Sequence, residues 1–173
     1  MELFLHILLA VLPAVVVFFT VSMFLKRQEE RNLKMMQLEL KKERQEFFLP
    51  NRLEAFQRVI LYLERIHPNA LIMRLHNPTL SATAFQAELL KNIREEFDHN
   101  VAQQLFISKA GWKLVSNAKE ETTKIINVAA EGLKEDAGAT DLAGKVFELV
   151  GEVGEVPSDI AVAVLKEEFQ DLL

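Results

Sequence analysis

Two short patterns in this 173-residue sequence have residue types and a spacing that can do chemistry: Glu64-Arg-Ile-His67 and Glu96-Phe-Asp-His99. Both read E-x-x-H, and on a helix that spacing puts a carboxylate and an imidazole on one face. Di-iron and di-manganese bundle enzymes use two such motifs plus a Glu from each of two further helices. Glu120 or Glu121 could supply one of those further ligands. Glu88 shares a helix with Glu96, so no separate helix offers the second. His67 also stands directly before Pro68, where a helix is expected to end and the ring is loosely aimed. With 20 glutamates and four histidines in the chain, two such pairs arise readily by chance. The reading carried forward is two surface i,i+3 contacts, with no catalytic residue, cofactor or metal site expected. A di-metal carboxylate enzyme built on Glu64, His67, Glu96 and His99 is kept as the alternative.

Other catalytic signatures do not occur. The sequence contains no phosphate loop, dinucleotide fingerprint, nucleophile elbow or H-E-x-x-H zinc motif. It has no cysteine, which excludes disulfides, thiolate metal sites and Cys nucleophiles. Trp112 begins the apolar stripe of its helix and reads as core. Tyr62 flanks a core stripe, with its hydroxyl expected near the surface.

The elements that would position these residues read as helices throughout. Residues 3–25, LFLHILLAVLPAVVVFFTVSMFL, carry no formal charge. As a helix they would reach about 34 Å, enough for a hydrocarbon core of roughly 30 Å. The expectation is therefore a transmembrane helix over 3–25. Lys26, Arg27, Arg31 and Lys34 flank its C-terminal end and no basic residue flanks the other. By the positive-inside rule the N-terminus lies outside and the rest is cytoplasmic, in a single-pass inner-membrane protein with the lipid bilayer as one partner.

Residues 26–48 lack Gly and Pro and read as a charged juxtamembrane helix. Leu33, Met36, Leu40 and Phe47 follow heptad spacing, with Glu43 in the intervening core position. That is about two heptads, so any pairing with a second copy would be weak. Pro50 is expected to break this helix and Asn51 to cap the next, whose apolar stripe is Leu53, Phe56, Ile60 and Leu63. Pro68 ends it. Residues 69–75 are apolar, and either helix or strand fits them. From Ser81, apolar residues recur every four positions as Phe85, Leu89, Ile93, Phe97, Val101 and Leu105, a long helix. Ser108 caps another that carries Trp112 and Val115. From Gly132 to Gly154, five of the six glycines fall among acidic residues, with short helices near 142–150 and from Ile160.

Charge is uneven along this order. Residues 26–48 and 49–130 each carry a net charge of +2, and residues 131–173 carry −8. An acidic segment of that weight repels phosphate backbones, so no nucleic-acid partner is expected. The expected architecture is all-α: the membrane helix over 3–25, the juxtamembrane helix over 26–48, a helical domain over 50–133 and an acidic helical module over 134–173.

The stretches LPNRLEAFQRVILYLERIHPNALIMRL (49–75) and IREEFDHNVAQQLFISKAGWKLVSNAKEETTKIINVAAE (93–131) resemble an uncharacterised family of small bacterial single-pass membrane proteins. The resemblance implies a helical cytoplasmic domain and brings no activity, cofactor or catalytic residue. Anchor, spacer and helical domain without a catalytic set point to a membrane-anchored interaction protein, an adaptor or accessory subunit. Its partner would be another protein or a further copy of itself. A structural stalk subunit of a membrane complex is the remaining alternative.

Overall fold

The computed structural model describes residues 1–171, with side chains for all of these except 2–12 and 14. Among the described residues the elements run α1 (Glu2–Ile66), α2 (Pro68–Leu75), α3 (Ala82–Asn100), a 3₁₀ turn (Val101–Leu105), α4 (Lys109–Glu131), α5 (Ala139–Val153) and α6 (Pro157–Gln170). The chain divides into two units, Met1–Leu49 and Pro50–Leu173.

Local chemistry explains most helix boundaries. Ser81 and Ser108 are N-caps, their hydroxyls accepting from the amides of Ala84 (3.2 Å) and Gly111 (3.0 Å). Pro68 and Pro157 each begin a helix, where the missing N–H would be unpaired anyway. The Gly138 amide before α5 donates to Asp141 Oδ2 at 2.8 Å, so the first turn of α5 reaches back to its own cap. Gly154 ends α5 at φ 79°, a left-handed conformation that side chains with a Cβ rarely adopt. Residues 69–75, ambiguous in sequence, are helical.

The Pro50–Leu173 unit has one core. Phe56, Val59, Leu63 and Ile66 from the end of α1 join Leu71 and Ile72, Phe85, Leu89 and Ile93, Val115 and Ile126, Leu142 and Val146, and Val162 and Leu165. Helices α5 and α6 therefore belong to the same core as residues 50–133, and their acids other than Glu168 lie on the outer faces of helices whose inner faces are apolar. One short antiparallel bridge ties two helix starts together. Ala82 N donates to the carbonyl of Ala137 (2.9 Å) and Ala139 N to that of Leu80 (3.0 Å), across Ser81 and Gly138.

Three expectations need correction. The membrane span over 3–25 is not supported: among the described residues no helix is long and apolar enough to cross a membrane. The side chains of 2–12 and 14 lie outside the described ones. With the span go the single-pass inner-membrane location and its orientation. Second, Pro50 does not end a helix, because α1 is helical on both sides of it. Proline removes one backbone hydrogen bond at a local cost of about 3 kcal/mol. The burial of Phe56, Val59, Leu63 and Ile66 in the turns that follow offsets that cost. Third, α3 stops at Asn100, and its final apolar pair falls in the 3₁₀ turn. The tighter winding rotates Val101 and Leu105 off the buried stripe, and both are exposed.

Candidate functional site

The two E-x-x-H motifs lie on α1 and α3, and their side chains have separate roles. Glu64 is exposed, and its neighbour Arg65 is the residue that reaches α3. Arg65 Nε donates to Glu96 Oε1 at 2.7 Å, with Nη2 against the same oxygen. Arg74 Nη2 donates to Asn92 Oδ1 at 2.8 Å and lies 3.4 Å from the Arg65 carbonyl. Burial, then the neighbouring Arg65 charge, holds the Arg74 guanidinium below its usual range. Glu96 thus fastens α3 to α1, a partly exposed pair contributing on the order of 1 kcal/mol. His67 Nδ1 accepts from Asn69 N at 3.3 Å as the cap of α2, and its Nε2 faces Asp159 Oδ2 of α6 at 3.6 Å. His99 is exposed in the last turn of α3, a favourable place for a cation. Among the described residues no group of three or more His, Cys, Asp or Glu is placed to hold a metal ion.

A second cluster lies beside this ion pair. The Tyr62 ring meets Phe97 (6.0 Å between centroids, 60°), and Phe97 meets Trp112 (5.7 Å, 35°). Lys119 Nζ stands 4.5 Å from the Phe97 centroid, a cation over an aromatic face. Trp112 is therefore a packing residue, as its place in the sequence implied. Tyr62 differs from expectation. It is fully buried, and among the described residues its hydroxyl has no hydrogen-bond partner. Burial pushes the phenol well above its usual range, and the charges of Glu96, Glu120 and Asp98 add to that. General acid–base catalysis needs a group that titrates near the working pH. Tyr62 is displaced in the opposite direction and stays a neutral phenol.

A third polar contact was invisible in the sequence. Glu168 on α6 accepts from the Ser108 amide (2.8 Å) and the Ser108 hydroxyl (2.7 Å) at the start of α4. The carboxylate complements the positive end of that helix. The partners lie 60 residues apart, and no local signal joins them. Each of the three clusters joins helices, and in the first and third the polar side chains are engaged by one another.

The Met1–Leu49 unit offers a surface of another kind. Each of its residues with a described side chain is exposed. Leu33, Met36, Leu40 and Phe47, spaced three, four and seven apart on α1, retain 56, 59, 47 and 71 % of their accessible surface. They form one stripe, and none of the unit's described side chains covers it. A shallow concavity near its start, lined by Leu25, Gln28, Glu29, Asn32, Leu33 and Met36, is walled by a single helix and cannot enclose a small molecule.

The chain belongs to DUF7935, described as a family of unknown function, whose model matches residues 2–172. This agrees with the resemblance to an uncharacterised family and carries nothing on bacterial origin or a membrane. No curated protein and no solved structure matches the chain.

Proposed function

We propose that this member of DUF7935 is a helical interaction protein, an adaptor or accessory subunit, with its contact surface on the Met1–Leu49 unit. The observation that supports the reading is the exposed stripe of Leu33, Met36, Leu40 and Phe47 on α1. Half-exposed Leu, Met and Phe repeated on one face of a helix cost free energy in water, and a partner relieves that cost. The Pro50–Leu173 unit is the folded body that such a protein presents or holds in place. Its Arg65–Glu96 and Ser108–Glu168 contacts go to helix joints, in keeping with a body built for binding.

The test is co-purification of the full chain beside a variant carrying Leu33→Ser, Met36→Ser, Leu40→Ser and Phe47→Ser. Proteins bound by the parent should be lost from the variant while the circular dichroism of the Pro50–Leu173 unit persists. A variant that keeps every partner of the parent refutes the assignment of the surface.

A further inference from the structure

We infer that the stripe on α1 is covered by a second copy of this chain, paired in parallel and in register. The inference rests on the stripe being a contact surface and goes further by naming the occupant. Leu33, Met36, Leu40 and Phe47 occupy heptad positions a, d, a and a, and Glu43 takes the d position between the last two. In that register Glu39 is a g residue and Arg44 the e residue five positions on. A parallel in-register pair sets each g against the partner's following e. Glu39 of one copy then faces Arg44 of the other, and symmetry makes the contact twice.

The same geometry answers the awkward Glu43. A d side chain packs beside the partner's e residue, so each Glu43 lies against an Arg44 from the other helix. An antiparallel pair offers nothing comparable. It sets g against g, and the g residues Glu39 and Glu46 are both acidic. Lys42 and Glu46 already pair along their own helix at 3.6 Å. Among the described residues Glu39 and Arg44 make no ion pair within the chain. Charge therefore selects one orientation and one identity of partner, because the complement of this stripe is the stripe itself.

The parent chain has no cysteine, which permits a clean cross-linking test on the full protein. Met36→Cys and Phe47→Cys should each give a disulfide-linked dimer under mild oxidation, and Leu38→Cys, on the outer face, should not. Only a parallel in-register pair brings two positions eleven residues apart each onto itself. Sedimentation equilibrium should show a weak dimer populated at roughly 100 µM. Arg44→Glu should weaken it about tenfold, and Glu39→Arg with Arg44→Glu should recover most of the loss. Glu43→Leu should tighten it. These side chains are exposed, so the substitutions leave the fold intact.

A monomer at that concentration, cross-linking at one of the two positions only, or no recovery in the double variant overturns the parallel dimer. Should the chain be monomeric while the serine variant loses a different bound protein, the dimer fails and the interaction reading stands. If both cysteine variants cross-link while the serine variant loses its second copy and keeps every other partner, the dimer stands and the adaptor role fails.

Discussion

Gly111 and Gly144 both lie within helices, and replacing each with alanine should move stability in opposite directions. Alanine is preferred over glycine in a helix interior by about 1 kcal/mol. At Gly144, exposed on α5, a Cβ would meet nothing within 4 Å, so Gly144→Ala should stabilise by roughly 0.5–1 kcal/mol. At Gly111, near the start of α4, a Cβ would stand 2.5 Å from Glu168 Oε2, 3.0 Å from Leu165 Cδ2 and 3.1 Å from Ile107 Cγ2. The carboxylate can swing away, but it then gives up its bonds to the Ser108 amide and hydroxyl, a capping loss of about 1 kcal/mol. Leu165 is fully buried and must shift its packing, with an overpacking cost of about 1–3 kcal/mol. These losses exceed the helix gain, and Gly111→Ala should destabilise by about 1–3 kcal/mol net. Urea unfolding followed by Trp112 fluorescence and by circular dichroism measures both variants, with an unchanged denaturant slope as the check on two-state behaviour. Glu168→Ala in the Gly111→Ala background should cost less than the two single changes combined, since one steric conflict disappears. If Gly111→Ala raised the midpoint as Gly144→Ala does, the close approach of α6 to the start of α4 would be wrong.

Further expectations concern the core and its unpaired hydroxyls. Ile93 is fully buried, so Ile93→Ala should cost about 2–5 kcal/mol in the same unfolding measurement; a loss under about 0.5 kcal/mol would place it outside the core. Thr122 is fully buried and its hydroxyl has no partner among the described residues, so Thr122→Val should leave stability unchanged or raise it by up to about 1 kcal/mol. Clear destabilisation would reveal a hydrogen bond there. Tyr62, the only tyrosine, has its folded-state phenol raised above the unfolded value near 10. Its contribution to stability is whole below about pH 10 and falls as pH rises further, because the unfolded chain then gives up a proton that the native one keeps. Phenolate absorbance should therefore appear together with loss of helix. Ionisation near pH 10 with the helices intact would show an accessible hydroxyl.

What could be read from the sequence is what neighbouring residues decide among themselves. The N-caps Ser108 and Ser81, the boundary at Pro68 and the buried stripe of Phe85, Leu89 and Ile93 depend on spacings of three or four positions. Such spacings are set by the 3.6-residue period and by amides a turn away. Local rules misled where distant contacts outweigh them, as at Pro50. They also failed at Val101 and Leu105, where a change to 3₁₀ winding ended a periodicity that the letters continue. The apolar run over 3–25 invited a membrane reading on length alone, which the described residues do not sustain. Only the tertiary structure decided which polar residues meet. Arg65 with Glu96 and Ser108 with Glu168 join partners 31 and 60 positions apart. Ser81 with Gly138 is a comparable long-range pairing. The physical reason is that a helix's period and caps are short-range properties of the chain, whereas the partner of a half-buried carboxylate is chosen by how whole helices stack. The E-x-x-H motifs show the difference: their spacing is written in the sequence, and the pairing of Glu96 with Arg65 is made by the packing of α1 on α3.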